Sequence, residues 1–506
     1  MSTSTANLNE KGAHPVNGTN GGARIPDEEE GTTIPKHSGH QDHRHLLPTA
    51  SGFVQFKNRF LRKGKKKVGT WDSLQAIALS SWLNVFIIFI PLSWVAHFIN
   101  EARHHHQEPK VFPDALTFAF SLLAIIPLER LFDYGGEQMA FYVGKDLGDL
   151  IVVTLNNAVE ATLAIILLTK CEIKLLQATI IGVVILHLLL IPGTAFITGG
   201  ARVMQQDLHP HLIQLNHTLL IMGVLALLLP AAFFAALDRG SQAIATDASY
   251  IVNDENQVLF LRMSHGLALI LLAVYICSRI FLHNPPGDGN ALQALPDAPL
   301  ALRQEEAKLI HEDPEVSQWV CIGMLIVTIA LMAATAEWLV DSIEFVRDGR
   351  IEEEWFGLIL LPIVSFAADG MVAIGYFVAW AIRHLLGRET PPATLAKARA
   401  IDLSIQFTLF WMPFLVLLGW WTDKPLSLLF DIYEVAILIG SCFLVNYVTA
   451  DAKTNWAEGF AMVSFYAMIA LTTWFYPGQP EIERMSEFGK CVLAAEGAEG
   501  AAVIGH

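Results

Sequence analysis

The stretch VTLNNAVEATLAI (residues 153–165) places two amides and a carboxylate, Asn156, Asn157 and Glu160, in a run that is otherwise almost entirely apolar. An apolar run of this kind is buried in lipid or in a protein core, where an ionised carboxylate is costly. Polar groups at that depth are retained where they face a water-filled cavity, bind a cation or carry a proton. The stretch therefore predicts a functional cavity between buried helices.

The overall composition is that of a membrane protein. Of the 506 residues, 53% are hydrophobic and only 16% are charged, whereas roughly a quarter of the residues of a soluble domain carry a charge. The mean hydropathy is +0.43, and the apolar residues form runs that reach the roughly 20 residues a helix needs to cross a bilayer. The predicted fold class is an all-α polytopic membrane protein, with the lipid bilayer as its first partner.

Several function classes are excluded by what the sequence lacks. The net charge of −16 arises mainly in tails and loops, and the chain has no basic nucleic-acid patch, Gly-rich phosphate loop or hydrolase nucleophile constellation. We therefore expect no cofactor and no nucleic-acid partner. The five cysteines are scattered, mostly within apolar runs, and predict neither a disulfide framework nor a metal ribbon.

We predict about eleven membrane-spanning helices, arranged as one leading span and two sets of five. They begin near Leu74, Ala115, Leu147, Ile173, Ile213, Val258, Ser317, Glu353, Lys397, Leu426 and Asn455. The predicted boundaries are a disordered tail with a basic segment at 1–72, the leading span and its loop at 73–110, the first set at 111–283, an acidic loop at 284–316, the second set at 317–477 and a C-terminal tail at 478–506.

The charge distribution before the first span predicts the orientation. The segment FKNRFLRKGKKKVG (residues 56–69) contains seven Lys or Arg residues and no acid. Positively charged segments next to a span stay in the cytosol, so we expect a cytosolic N-terminus. Eleven crossings then place the loop at 284–316 in the cytosol and the C-terminal tail on the opposite side of the membrane.

The two sets of five spans share a short internal match. NAVEATLAI (residues 157–165) aligns with FAADGMVAI (366–374), with Ala, Ala and Ile identical and an acid at both 160 and 369. Because each set has an odd number of spans, the second set enters the membrane in the opposite orientation. Inverted repeats of this kind are a common transporter plan, and their substrate site lies near the midplane where the repeats meet.

The matched acids predict a cation site. Glu160 and Asp369 can exchange one divalent cation for protons, and hard cations prefer carboxylate, amide and carbonyl oxygens. Asn156 and Asn157 provide such oxygens in the first set of spans. Candidates in the second set are Ser365, Ser404 and Gln406. The alternative is that these polar residues pair with one another between helices and carry out no chemistry.

Several longer stretches carry a resemblance to a known family. They are SLLAIIPLERL, QATIIGVVILHLLLIPGTAFITGG, AEWLVDSIEFV, FGLILLPIV, KPLSLLFDIYEVAILIGSCFLVNYV and KTNWAEGFAMVSFYAMIALTTWFYP. In their order and spacing, over about residues 75–480, the chain resembles the vacuolar cation/proton exchangers of CAX type. The resemblance implies eleven spans, an acidic cytosolic loop and a vacuolar membrane protein that imports Ca²⁺ or a related cation against outward protons.

The chain departs from the family at its signature motifs of the form G-N-A-x-E. Residues 156–160 read NNAVE, which keeps the asparagine and the acid, but residues 365–369 read SFAAD, with Phe366 where the family has asparagine. The partner motifs G-S-x-x-S-N and G-S-S-x-Q read GVVILH at 182–187 and DLSIQ at 402–406. These changes remove neutral oxygens from the expected cavity and add His187 and Asp402. Asp149 stands where the family usually has a small residue.

Three hypotheses follow from these departures. The first is an exchanger of altered selectivity among Ca²⁺, Mn²⁺, Na⁺ and K⁺, with Glu160, Asp369 and Asp402 as exchangeable carboxylates. The second is a membrane enzyme in which one of these three acids is a catalytic general acid that protonates an isoprenoid, a lipophilic small molecule whose cation the aromatic faces of Phe366 and Trp411 stabilise. The third is a regulatory homologue that does not transport.

The remaining polar features have two interpretations each. His187 lies inside a span and is either a packing histidine or a proton carrier. Glu337 and Asp341, four residues apart on one helical face, are expected to support the cavity entrance without coordinating. The His-rich segments HSGHQDHRH (37–45) and HHH (104–106) are expected to be solvated. The sequence leaves the oligomeric state open, including a homo-oligomer.

Overall fold

The computed structural model describes most of the predicted membrane domain. The described residues are 57–58, 60–62, 68–105, 109, 111–143, 145–200, 206–207, 210–242, 254–283, 313–343, 352–364, 366–367, 370, 399–486 and 491. Residues 1–56, the greater part of the loop at 284–316, and residues 371–398 lie outside them. The predicted domain boundaries therefore stay predictions.

The described residues are helical almost throughout. The helices are α1 (Thr70–Leu79), α2 (Phe89–His105), α3 (Asp114–Val143), α4 (Lys145–Asn156), α5 (Ala158–Thr169), α6 (Ile173–Ile185), α7 (Ile191–Gly200), α8 (Pro210–Gln242), α9 (Asp254–His283), α10 (Gln318–Asp341), α11 (Glu353–Trp355, continued to residue 364), α12 (Arg399–Gln406), α13 (Met412–Thr422), α14 (Ile432–Val448), α15 (Trp456–Thr473) and α16 (Pro480–Ser486). A 3₁₀ turn, Trp82–Ile88, precedes α2. Two short antiparallel strands, β1 (Gln206–Asp207) and β2 (Lys453–Thr454), pair with each other.

These helices confirm the predicted all-α polytopic class. Within the described residues, seven helical segments are long and apolar enough to cross a membrane, or eight if the bent pair α4 and α5 counts as one span. Helix α14 adds a shorter apolar segment. A described helix begins within a few residues of each predicted start, but at the first of them this is the ten-residue α1, and the first segment long enough to span begins at Trp82 and not near Leu74. The next largest offset is at α14, which begins at Ile432 and not near Leu426.

Two spans lie at the centre of the bundle. In Ile173–Gly199 and Ile401–Thr422, 72% of the most apolar window is buried, against 28% in Glu255–Leu282 and Gln318–Asp341 and 22% in Trp82–Arg103. A helix that is apolar on all sides is buried by other helices when it is central and by lipid when it is peripheral. The central pair therefore carries the side chains that can line an internal site.

Both central spans depart from regular helix at the same relative place. A π-helical turn, Leu186–Leu190, separates α6 from α7, and another, Phe407–Trp411, separates α12 from α13. A third, Phe356–Leu360, interrupts α11. Such turns widen the helix locally, release backbone groups and occur often at functional sites.

A close backbone crossing holds α6 against α11. A Cβ atom at Gly182 would overlap the carbonyl oxygen of Leu358, and one at Gly357 would lie 2.8 Å from Ala178 Cβ. Only glycine permits two helices to approach so closely. This contact packs the third span of the first predicted set against the second span of the other set.

The cysteines give one correction to the sequence prediction. Cys171 and Cys491 form a disulfide across a separation of 320 residues, although their spacing predicted none. Among the described cysteines, Cys277, Cys321 and Cys442 are free. The pairing depends on the fold, which brings the short turn between α5 and α6 next to the C-terminal tail, and no local spacing encodes that contact.

Candidate functional site

The fold places Glu160 at a break in a span. Helix α4 ends at Asn156, Asn157 leaves the helical conformation with φ −95° and ψ 7°, and α5 begins at Ala158. The two halves bend by 51°. Glu160 lies in the first turn of α5 and is 3% exposed. The first turn of a helix presents free N–H groups and a positive dipole end, which favour a carboxylate there.

His187 faces Glu160 across the site. Its Nε2 lies 3.9 Å from Glu160 Oε1, and both side chains are 3% exposed. His187 belongs to the π-helical turn Leu186–Leu190, which displaces it from the regular course of α6. The structure thus brings together two of the residues singled out in the sequence, one from each of two neighbouring spans.

Asn157 and Gln406 form the polar centre of the site. Asn157 Nδ2 donates to Gln406 Oε1 (2.8 Å) and to the Leu403 carbonyl (3.3 Å). Gln406 Nε2 in turn donates to Thr154 Oγ1 (2.9 Å) and Tyr275 OH (3.0 Å). Asn157 is fully buried, and its Oδ1 has no hydrogen-bond partner within the described part of the chain. A buried amide oxygen with an unused lone pair is suited to receive a cation.

Asn156 has a different environment from Asn157. In the amide orientation that satisfies its neighbours, Asn156 Nδ2 donates to Val152 O (2.8 Å) and Asp133 Oδ1 (3.1 Å). Asp133 also accepts from Arg130 Nη1 at 2.9 Å. Asn156 therefore connects the broken span to α3.

Asp402 is engaged by an arginine. Its Oδ1 lies 3.5 Å from Arg279 Nη2, and the two side chains are 23% and 13% exposed. The Arg279 guanidinium also lies over the Tyr275 ring, 4.9 Å from its centroid. A carboxylate next to a permanently charged guanidinium is neutralised without a proton or a transported ion.

The other predicted site residues divide into two groups. Ser404 is fully buried and its hydroxyl donates to Ile401 O (2.8 Å) within its own helix. Ser365 and Asp369 lie outside the described residues, as does the side chain of Asp149. The pairing of Glu160 with Asp369 therefore stays a prediction.

The aromatic side chains near Gln406 form a cluster of their own. Trp411 packs against Phe410 and Phe414, with ring centroids 5.3 and 6.1 Å away. Its Nε1 is buried without a hydrogen-bond partner in the described structure. Phe366 is half-buried and packs against the main core.

Sequence reasoning missed four residues of the site: Arg130, Asp133, Tyr275 and Arg279. Three of them are charged residues inside apolar spans, and such residues are functional candidates by position alone. That signal was present in the α3 and α9 segments. Tyr275 carried no signal, because a tyrosine in a span is usual.

A second polar region surrounds a cavity of about 500 Å³ between the ends of α2, α3, α5 and α10. Lys170 Nζ lies 2.8 Å from Asp341 Oδ1 and 3.4 Å from Glu337 Oε1. Burial lowers the pKa of Lys170, but the two carboxylates raise it by more, so its pKa lies above the ordinary value. Of the two acids predicted at an entrance, Asp341 lines this cavity and Glu337 reaches it through Lys170.

The donor set around Glu160 is that of a partly formed cation site. Carboxylate and amide oxygens are the ligands of hard cations, and Glu160 and Asn157 provide one of each. The described residues contain no group of three or more His, Cys, Asp or Glu side chains that could hold a metal. An ion bound at this position needs further oxygens, which backbone, water or the predicted second acid would supply.

A polytopic helical bundle with a discontinuous span, a buried carboxylate at the break and π-helical turns in its two central helices has the architecture of a secondary transporter. The model of the family described as sodium/calcium exchanger protein matches residues 114–283 and 320–475. The chain belongs to this family, which confirms the resemblance inferred from its motifs.

Individual relatives agree with this assignment. A vacuolar calcium ion transporter of Cryptococcus neoformans var. grubii is 31% identical over 486 residues, covering 82% of this chain and 77% of the relative. A protein of the same name from Schizosaccharomyces pombe is 28% identical, and the match covers 80% of this chain and 87% of the relative. Among solved structures, native YfkE superposes with a TM-score of 0.53 at 21% identity, covering 77% of this chain and 99% of that one. The H⁺/Ca²⁺ exchanger CAX superposes with a TM-score of 0.50 at 15% identity, covering 82% of this chain and 96% of that one.

Proposed function

We propose that the protein is a cation/proton antiporter of an endomembrane and that Ca²⁺, or a closely related cation, is exchanged for protons at Glu160. One observation carries the proposal: a nearly fully buried carboxylate lies at the break of a span, three residues after an asparagine whose buried amide oxygen has no hydrogen-bond partner among the described residues. Such an arrangement can alternate between holding a proton and holding a cation.

The energetics of burial explain why exchange is obligatory at such a site. A bare carboxylate within the membrane is expensive, so Glu160 is stable when it is protonated or when a cation compensates its charge. Entry of a cation therefore releases a proton, and entry of a proton releases the cation. The second acid of the proposed site, Asp369, would compensate the second charge of a divalent ion.

The identity of the cation rests on the relatives. Two are named vacuolar calcium ion transporters, and one from Synechocystis, 28% identical, is named Ca(2+)/H(+) antiporter. Ca²⁺ is accordingly the first cation to test. Mn²⁺ shares the preference of Ca²⁺ for carboxylate, carbonyl and water oxygens, so Mn²⁺ is the second.

The proposed location is the vacuolar membrane, with a cytosolic N-terminus. The basic segment at 56–69 supports this orientation. The Cys171–Cys491 disulfide supports it independently, because disulfides persist in oxidising compartments and not in the cytosol. With three spans before Cys171 and eleven before Cys491, both cysteines lie on the side opposite to the N-terminus.

The enzymatic alternative gains no support. The relatives named above are transporters, and Asp402, one of the proposed general acids, is paired with Arg279. The carboxylate oxygen that faces Arg279 is therefore not free to face a substrate.

The test is uptake of ⁴⁵Ca²⁺ into proteoliposomes driven by a proton gradient, with Glu160→Gln in parallel. We expect uptake to require the gradient and to fall at least about a hundredfold in Glu160→Gln, since the amide can neither bind a proton nor compensate a cation. Glu255→Gln, at an exposed carboxylate near the start of α9, is the matched control. Full uptake by a correctly inserted Glu160→Gln protein would remove Glu160 from the mechanism. Absence of uptake by the unmodified protein, for Ca²⁺, Mn²⁺, Na⁺ and K⁺ alike, would favour the regulatory alternative.

A further inference from the structure

An arginine lies inside the bundle, close to the proposed exchange site. Arg279 is on α9, and its side chain is 13% exposed. Its guanidinium is held from two sides, by the Asp402 carboxylate at 3.5 Å and by the face of the Tyr275 ring at 4.9 Å. Arginine does not lose its proton in proteins, so this position carries a permanent positive charge.

The arginine is connected to the site by hydrogen bonds. Tyr275, one turn before Arg279 on α9, accepts through its hydroxyl from Gln406 Nε2 at 3.0 Å, and Gln406 Oε1 accepts from Asn157 Nδ2 at 2.8 Å. Asn157 lies at the helix break, three residues before Glu160. On α12, Asp402 and Gln406 are four residues apart and share a helical face. The Arg279–Asp402 pair therefore lies next to the polar centre of the site.

A partly buried ion pair of this kind is not explained by stability. Removing two charges from water costs about as much as their attraction returns, and apolar replacements of such pairs are often neutral or stabilising. The position of the pair next to the polar centre of the site is better explained by its effect on the net charge of that site. The pair keeps Asp402 from contributing a net negative charge, and Glu160 remains the exchangeable acid on this side of the site.

We propose that Arg279 is a specificity-determining residue. Its permanent positive charge neutralises the Asp402 carboxylate and thereby lowers the number of carboxylates available to the transported ion. This inference rests on the proposed antiport function. It replaces the expectation that Asp402 is a third exchangeable carboxylate. The chemical consequence is a site of lower negative charge, which binds divalent cations less tightly than its three acids alone would indicate.

The test is a double-mutant cycle on the KM for cation uptake into proteoliposomes. Arg279→Gln frees the Asp402 charge and is expected to lower the KM for Ca²⁺ by about tenfold or more, because a unit charge in a protein interior acts on a divalent ion with twice the energy that it has for a monovalent ion. Asp402→Asn leaves the guanidinium uncompensated and is expected to raise the KM by a similar factor. The double variant Arg279→Gln/Asp402→Asn restores neutrality and is expected to return the KM toward that of the unmodified protein.

The opposite signs distinguish this inference from a structural role. A pair that only stabilises the fold predicts that both single variants lose maximal rate and that neither lowers the KM. Equal KM values for Arg279→Gln and the unmodified protein, or a raised KM in both single variants, would overturn the inference. If the Arg279→Gln protein does not insert into the membrane, the Asp402→Asn variant tests the inference alone. An unchanged KM in that variant also contradicts the proposed role of Arg279. Arg279→Lys, which keeps the charge, should shift the KM less than Arg279→Gln.

The two proposals can fail separately. If the unmodified protein transports no cation, the antiport function fails, and the inference with it. If transport requires Glu160 but its KM does not respond to the charge at 279 and 402, the antiport function stands and only the role of Arg279 is wrong.

Discussion

Neighbouring asparagines at the helix break have different partners because the break rotates them apart. Asn156 is the last residue of α4 and bonds Asp133 on α3. Asn157, outside regular helix, directs its amide nitrogen to Gln406, and its amide oxygen is unpaired within the part of the chain that the structure describes. The amide nitrogen can therefore bond α12 through Gln406 while the amide oxygen binds a cation.

This difference predicts unequal effects of alanine substitution. Asn157→Ala removes the free oxygen and the bond to Gln406, and we expect the catalytic efficiency of cation uptake, kcat/KM, to fall about 10- to 100-fold, as when a metal ligand loses its supporting contacts. Asn156→Ala removes only the contact to α3 and should reduce it by less than tenfold. Proteoliposome uptake with protein amounts matched by quantitative blotting measures both. Equal losses in the two variants would contradict the assignment of the free oxygen to Asn157.

At the scale of single residues, the sequence identifies a site residue when burying that residue is energetically costly. A carboxylate inside an apolar run is expensive enough to identify Glu160 on its own, and the same argument applied to Arg279 and Asp133, which were not singled out. The pairing of Asp402 with Arg279 could not be predicted, because it joins residues 123 positions apart whose helices meet only in the fold. The direction of each amide was equally inaccessible, since it follows from the break at Asn157.

At the scale of helices, the crossing of α6 and α11 depends on missing side chains at Gly182 and Gly357. Gly182 contacts the backbone of Leu358 directly, so a side chain there would force the helices apart. By contrast, a Cβ atom at Gly266 in α9 would meet no atom within 4 Å. Both are helical glycines in apolar spans, and the sequence does not distinguish them.

The contrast predicts opposite outcomes for the same substitution. Gly182→Ala forces α6 and α11 apart, and we expect it to destabilise the protein by about 1–3 kcal/mol or more, as overpacking of a core does. Gly266→Ala should be neutral or stabilising by up to about 1 kcal/mol, because alanine favours helix and nothing is displaced. The thermal midpoint of the detergent-solubilised protein reports both changes. A Gly182→Ala protein as stable as the unmodified one would show that the crossing can relax.

A cluster of carboxyl groups closes one end of the bundle. Glu354, Asp431 and Glu434 are 5%, 5% and 3% exposed, and Lys174 Nζ lies 3.7 Å from Glu354 Oε1. Asp431 caps α14 and accepts from Tyr433 N, Tyr476 OH and Gln479 N at 2.8–2.9 Å. Burial raises the pKa of Asp431, and although these hydrogen bonds lower it, the net pKa lies above the ordinary value.

This shift predicts the pH dependence of stability. Because the folded-state pKa of Asp431 is above its unfolded value, its contribution is fully present below the unfolded pKa, near 4, and is lost as pH rises through the folded pKa. Asp431→Asn, which retains the helix cap, should therefore gain stability relative to the unmodified protein as pH is raised from 4.5 to 8. Thermal midpoints across that range test it, with Asp451→Asn, at an exposed aspartate, as control. A constant difference between Asp431→Asn and the unmodified protein would contradict the prediction.

The boundaries of the helices were predictable where apolar runs begin abruptly. The late start of α14 has a local cause. The segment from Asp423 to Asp431 is not helical, and the helix begins only where Asp431 and Glu434 form a capping box. The π-helical turns were not predictable, because they follow from packing between central helices and not from the composition of any one of them.

The two central spans of the described part of the chain share a distortion that fits the predicted inverted repeat. The π-helical turns of the two central spans occur at Leu186–Leu190 and Phe407–Trp411, next to the partner motifs at 182–187 and 402–406 that the two predicted sets share. Corresponding distortions in corresponding helices are what an inverted repeat predicts. The short match between 157–165 and 366–374 could not establish this, because the part of the chain around Asp369 lies outside the described residues.

The arrangement of charge and disulfide predicts the sidedness of the whole chain. A basic segment at 56–69 favours a cytosolic N-terminus, and the disulfide from Cys171 to Cys491 needs an oxidising lumen. An odd number of predicted spans separates the basic segment from each cysteine, which places both cysteines on the opposite side of the membrane. A cytosolic basic segment and a lumenal disulfide are therefore compatible. The triplet Asn17-Gly18-Thr19 is an N-glycosylation acceptor, which a cytosolic tail leaves unmodified.

We expect an Asn-Gly-Thr triplet introduced after residue 500 to be glycosylated in cells while Asn17 stays unmodified. In Cys171→Ser, the released thiol of Cys491 should react with a membrane-impermeant maleimide only after sealed vacuoles are lysed, and in the unmodified protein it should not react without a reductant. Modification of Asn17, or labelling of Cys491 in intact vacuoles, would reverse the orientation. Protons released at Glu160 would then leave on the other face, and the direction of the proposed exchange would reverse with them.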